Sequence, residues 1–240
     1  MISPIYAWGI ELEAGYGLCN TCKKYQHMHC YHPLEGISDK LFHKWYRGED
    51  GSLVAMKKYV TLFELKPEIP IQNRKELEHD VELIYSRIED VNYTMGMHIH
   101  VSFNDLKTYA TLASWEFVDL FQRVATMLFP ELTNRLRGFN NPYARGLFDR
   151  KSFMLHFMEC RPAVNLISFV SRGTYEFRLF GMNPDKDRAL EYISFLEDII
   201  MDFMELVEMR IIIPESVFSL MEKRLVACGY TISSMLPWLK

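Results

Sequence analysis

Four short stretches of the chain alternate apolar and polar residues with a period of two. Each places two chemically capable side chains two positions apart. They are Glu11 and Glu13 in Gly9-Ile-Glu-Leu-Glu-Ala14, Glu64 and Lys66 in Leu62-Phe-Glu-Leu-Lys-Pro67, His98 and His100 in Gly96-Met-His-Ile-His-Val-Ser102, and Glu176 and Arg178 in Thr174-Tyr-Glu-Phe-Arg-Leu-Phe180. Period two is the signature of a strand, on which residues i and i+2 point the same way. If the four strands belong to one sheet, a single surface carries several carboxylates, two imidazoles and cationic side chains. Like charges packed that closely repel unless something positive sits among them, and divalent cations are the usual answer.

A length of 240 residues suits one large domain or two small ones, and 49% hydrophobic residues are enough for a sizeable core. No apolar run approaches the length of a membrane span, so no membrane partner is expected. A net charge of -4 and a pI near 6.1 argue against bulk attraction to nucleic acid or anionic membranes. The start, Met1-Ile-Ser-Pro-Ile-Tyr-Ala-Trp8, leads directly into the first strand pattern without a basic flank and does not read as a signal peptide. The five cysteines are an odd number, with three between residues 19 and 30. That usage predicts a reduced, cytoplasmic chain rather than a disulfide scaffold.

Further along, the pattern predicts a first strand over residues 5–14, a Cys/His-rich insertion over 15–50, and two short strands within 53–66. Asn73 followed by Glu76 is a helix-capping arrangement, with Leu77, Val81, Ile84 and Ile88 at helical spacing behind it. A strand over 97–103 precedes a long helix with a stripe of Leu112, Phe117, Leu120, Phe121, Val124 and Leu128. Ala163–Val170 and Thr174–Phe180 read as a hairpin around Ser171-Arg172-Gly173. Asn183-Pro184 opens a helix with Ala189, Tyr192, Ile193, Leu196, Ile200, Phe203 and Val207 on one stripe, and a last helix after Pro214 ends near Gly229. The expected fold is α+β, a mainly antiparallel sheet with helices packed on one face and the polar pairs on the other, open face. The chain reads as one domain over 1–240, with a helical C-terminal part at about 186–240.

A single Glu-x-Glu strand is more often a solvated sheet face than a site; four such pairs shift the balance. Carboxylates beside imidazoles suit Mg²⁺ or Mn²⁺, the ions that accompany phosphate chemistry. An arginine two residues from a metal-binding glutamate can clamp a phosphate through two hydrogen bonds. Of the loop arginines, Arg145 after Asn141-Pro142-Tyr143 is the preferred nucleotide or substrate contact. The insertion carries Cys19-x-x-Cys22, then His27, His29, Cys30 and His32. These six residues can build a tetrahedral structural Zn²⁺ site, against the alternative of reduced cysteines in a loop.

Gly9-Ile-Glu-Leu-Glu13, Asp50-Gly51-Ser52-Leu53, Glu64 before Pro67, Gly96-Met-His-Ile-His-Val101, Arg161-Pro-Ala-Val-Asn-Leu166 and Gly173-Thr-Tyr-Glu-Phe-Arg-Leu-Phe180 come in an order that resembles the amidoligase family. Its members are carboxylate–amine ligases related to glutamine synthetase and glutamate–cysteine ligase. The resemblance runs from about residue 8 to residue 205. It implies a glutamine synthetase-like catalytic domain with ATP and two or three Mg²⁺ or Mn²⁺ ions. By it, Glu11, Glu13, Glu64, His98 and Glu176 hold metal, and His100 lies by the nucleotide phosphates. Arg178 stabilises the transferred phosphoryl group, and Arg161 binds substrate or phosphate. The implied reaction joins a carboxylate to an amine, on small molecules or peptides, through an acyl phosphate. The chain departs from many relatives after Phe180, where Gly-Met-Asn-Pro replaces a polar Asn-Gly-Thr turn. Two other classes compete: a zinc-containing binding module on a degenerate catalytic fold, and a metal-dependent hydrolase. The acidic balance and the intact Glu and His pairs count against the first. The second is disfavoured by the Glu176–Arg178 pairing and by the absence of an obvious nucleophile-activating motif.

Overall fold

The computed structural model describes residues 2–18, 24, 44–48, 53–54, 56–57, 60–92, 94–133, 144, 146–147, 149–159 and 162–238. Its class is α+β, with antiparallel strand pairs and helices. The chain gathers into two compact units. One comprises Trp8–Ile99 and Phe180–Tyr192, the other Met1–Ala7, His100–Leu179 and Ile193–Lys240. Below they are the strand-rich unit and the helical unit.

In the strand-rich unit, β1 (Ile5–Leu18) pairs antiparallel with β3 (Val60–Pro67), and β3 with β2 (Trp45–Gly48). The register sets Glu13 opposite Glu64 and Leu12 opposite Leu65, so the carboxylates share one face and the leucines the other. β2 continues this arrangement, with Tyr46 opposite Lys66 and Trp45 opposite Pro67. Helix α1 (Arg74–Tyr85) starts at Asn73, whose side-chain oxygen accepts the N–H groups of Lys75 and Glu76, and it buries Leu77, Val81 and Ile84. Trp45 Nε1 donates to Asp80 of α1 at 3.0 Å, which ties the helix to the Trp45 face of the ribbon. Ile88 is not part of this helix. It opens β4 (Ile88–Asp90), whose Asp90 lies opposite Gly15 of β1. A Cβ at Gly15 would come within 2.3 Å of Val60 Cγ1, so only glycine admits the neighbouring strands this closely.

Several boundaries differ from the sequence expectation. The first strand runs on to Leu18, into what reads as the insertion, and β2 forms at its far end. Residues 53–54 are not strand, and among the described residues of 53–66 the strand is β3.

In the helical unit, the end of β5 (Met97–Phe103) is followed by α2 (Leu106–Leu112) and α3 (Trp115–Leu128). The sequence reads these as one helix. The chain breaks at Ala113 because Ser114 caps a new helix, its hydroxyl accepting from Phe117 N–H. The buried face of α3 is Phe117, Val118, Phe121, Gln122 and Ala125, so Leu128 points outward instead of lying on the expected stripe. After α4 (Arg150–His156), the expected hairpin shrinks to β6 (Val164–Asn165) and β7 (Tyr175–Phe177), with a short helix α5 (Ser168–Arg172) between them. Gly173 ends α5 at φ 69°, and a Cβ there would stand 2.7 Å from Met235 O. Both the left-handed backbone and the close approach require glycine. Helix α6 (Lys186–Glu208) buries the expected stripe except Val207, which is half-buried. α7 (Phe218–Ala227) and α8 (Ile232–Met235) close the chain. Within the unit, Phe177 meets Phe117 and Phe121 edge-to-face and Phe203 meets Phe117 likewise, with centroids 5.2–6.2 Å apart.

Candidate functional site

Burial sets both clusters of singled-out residues apart from a solvated sheet face. Glu11, Glu13, His98, His100 and Glu176 are each 6% exposed or less, and β5 is buried along its whole length. These five therefore do not lie on an open face, whereas Glu64, Lys66 and Arg178 are half-buried. Buried carboxylates and imidazoles must be paired, hydrogen-bonded or metal-bound, because desolvating an isolated charge is costly.

The strand-rich unit holds Glu11, Glu13, Glu64, Lys66 and His98. His98 Nδ1 lies 3.3 Å from Glu11 Oε2 and 3.8 Å from Glu13 Oε1. Glu13 is anchored twice to one glycine: its Oε2 accepts the Gly96 N–H at 2.6 Å, and its own N–H donates to Gly96 O at 3.0 Å. Gly96 thus fixes the glutamate as well as leading into the His-x-His strand. Glu64 takes a 2.7 Å ion pair from Lys66, whose ammonium lies 5.8 Å from the Tyr46 ring centre. Even so, the Glu64 carboxyl is held above its ordinary range, first by burial and then by the negative charge of Glu11. Lys66 opposes both without cancelling them. Gly48 makes room for this group: a Cβ there would meet Glu64 Oε2 at 2.9 Å. Beneath it, Tyr16 donates to Leu12 O at 2.8 Å and is held in its protonated form by burial, Tyr85, Glu13 and Glu64.

The helical unit holds His100, Asn165, Arg172, Thr174, Glu176 and Arg178. Glu176 accepts from Asn165 Nδ2 at 2.5 Å on one oxygen and from Arg178 on the other. Arg172 Nη1 lies 3.2 Å from His100 Nε2, and a guanidinium can only donate. Nε2 is therefore the acceptor, and Nδ1–H donates to Thr174 Oγ1 at 3.2 Å. The 3.8 Å separation between Nε2 and Glu176 Oε1 is consequently not a hydrogen bond. Thr174 also meets Ser168 Oγ at 3.2 Å. The Thr174 turn is positioned by Tyr109, whose hydroxyl donates to Gly173 O at 2.7 Å and accepts from Phe103 N–H at 3.1 Å.

One strand, β5, carries one imidazole into each cluster, two residues apart. Of the expected residues, the structure brings together Glu11, Glu13, Glu64 and His98 in one unit, and His100, Glu176 and Arg178 in the other. Arg145, Arg161 and the six zinc candidates Cys19, Cys22, His27, His29, Cys30 and His32 lie outside the described residues. Sequence reasoning missed Arg172, Thr174 and Asn165 as members of the second cluster. Arg172 reads as a turn residue beside Gly173, and only the intervening helix α5 aims it back at β5. The pairing of Asn165 follows from its place opposite Glu176 across the β6–β7 ladder. No family model, no curated protein and no solved structure matches the chain. No helix among the described residues is long and apolar enough to cross a membrane.

Proposed function

We propose that the chain is an ATP-dependent ligase that joins a carboxylate to an amine, with Mg²⁺ or Mn²⁺ as its cation. The observation that carries this reading is the buried group of Glu11, Glu13 and His98, with His98 Nδ1 3.3 Å and 3.8 Å from the two carboxylates, beside a Glu64 carboxyl raised by burial and then by Glu11. Carboxylate oxygens with an imidazole are the donor set these ions take. Glu11, Glu13, Glu64 and His98 would hold the cation. When bound, the cation supplies charge neutralisation on the phosphates.

The order of the motifs supplies the reaction class. A substrate carboxylate oxygen attacks the γ-phosphorus of ATP, the bond to the β,γ-bridging oxygen breaks, and ADP leaves. The amine nitrogen then attacks the acyl carbon, phosphate leaves, and the nitrogen loses a proton. Among the described residues of the helical unit, Arg178, oriented by Glu176, and Arg172, seated on His100, are suited to meet a phosphoryl group. Positioned charge of this kind contributes most of the catalysis in phosphoryl transfer. The cytoplasmic setting belongs to the same reading.

Phosphate release from ATP, measured across pairs of acids and amines, tests it. Release should require both partners and be lost in Glu11→Ala and Glu176→Ala. Release that needs neither acid nor amine would make the chain a hydrolase. Full ligase turnover in Glu11→Ala would remove that residue from the cation site.

A further inference from the structure

A second site lies in the strand-rich unit, on the other face of the β2–β3 ribbon from Glu64 and Lys66. A cavity of about 540 Å³ opens there, walled by Trp45, Pro67 and Ile71 and edged by Glu68, Glu76 and Asp80. Strand alternation sets it apart from the first cluster. Trp45 and Pro67 are register partners, whereas Lys66 faces Tyr46 and Glu64 faces Gly48 on the opposite side. The volume falls within the range of small-molecule sites.

Its chemistry points to a cation. Asp80 is 5% exposed yet sits in the middle of α1, and one of its oxygens, Oδ2, accepts a single neutral donor, Trp45 Nε1 at 3.0 Å. One neutral hydrogen bond is a poor substitute for the hydration a carboxylate loses on burial. Lys44, the ammonium among the lining residues, is paired with Glu76 at the exposed rim and feels the charge of Asp80 only as a lesser influence. The lining therefore carries three carboxylates against one ammonium, on apolar and aromatic walls. If Asp80 served only to tie α1 to β2, an uncharged acceptor would do as well, without the cost of burying a charge.

We infer that this cavity binds a small organic cation, a primary ammonium or guanidinium group on an apolar body, with Asp80 as its counter-ion and Trp45 and Pro67 as the walls for the apolar part. The inference is independent of the ligase reading, and either can fail alone.

The test is a titration of the full chain with benzylamine and, as an uncharged match of the same shape, benzyl alcohol, followed by NMR at the Trp45 indole N–H. Benzylamine should shift that signal with a Kd in the millimolar range, and benzyl alcohol should bind about tenfold more weakly, a difference of about 1.4 kcal/mol. Asp80→Asn keeps an acceptor for the indole, so it should retain the fold while weakening benzylamine to the level of benzyl alcohol. Equal affinity for the two compounds, or no shift with either, overturns the proposal in the native chain without any variant. Unchanged benzylamine binding in folded Asp80→Asn overturns it as well.

Discussion

Replacing Glu64 by glutamine should make the cation-free protein more stable while removing its response to Mg²⁺. The side chain keeps its shape and loses its charge. In the native protein that charge is half-buried and faces Glu11, with Lys66 at 2.7 Å as the compensating partner. Two carboxylates about 4–5 Å apart at an effective dielectric of about 20 repel by roughly 3–4 kcal/mol. Partial exposure reduces that ceiling about twofold, and losing the Lys66 pair gives back about 0.5–1 kcal/mol. A net gain of about 1 kcal/mol remains, or a rise in Tm of about 2–4 °C for a chain of this size. The pH dependence has a definite sign. The native carboxyl titrates above its ordinary value of 4.5, so its charge opposes folding above the native pKa. Below about pH 4.5 both native and unfolded forms carry the proton, and the gain vanishes. Scanning calorimetry at about pH 5 and about pH 8 should show the gap between variant and native protein widening with pH. Adding Mg²⁺ at the higher pH should raise Tm in the native protein only, by binding the folded state. A variant no more stable at about pH 8, or a gap that does not shrink toward about pH 4.5, would refute the account of Glu64 as a carboxylate opposed by burial and by Glu11.

Two other substitutions probe the supports of the two sites. Trp45→Phe removes the only neutral donor to the buried Asp80 carboxylate and should cost about 1–3 kcal/mol, read by urea denaturation; a loss below about 0.5 kcal/mol would mean that Asp80 has another source of compensation. Gly48→Ala places a methyl group within 2.9 Å of Glu64 Oε2, the movable end of a side chain. It should leave Tm within about 2 °C of native while lowering Mg²⁺ affinity several-fold by calorimetric titration, and unchanged affinity would show that Glu64 is not held where Gly48 allows it.

Strands β1, β3, β5 and β7 were legible because alternation with a period of two is a local pattern, written wherever one face meets apolar side chains. The Asn73 cap and the stripe of α6 are local in the same sense. What alternation cannot convey is how much covers the second face. Glu11 and Glu13 look the same in sequence whether they meet water or a neighbouring strand, and here they are almost wholly buried. Likewise, Ser171-Arg172-Gly173 carries turn chemistry in either a hairpin or a helix end. Packing of Phe169 against Tyr109 and Phe218 goes with the helix, and Arg172 then meets His100.

The order of residues alone determined which side chains can share a strand face. Only the tertiary structure decided that Glu64 stands opposite Glu13, that Asn165 and Arg178 both hold Glu176, and that Asp80 lies buried under Trp45. These relations join segments far apart in the chain or set by strand register, and register and burial arise from the packing of the whole unit rather than from any local pattern.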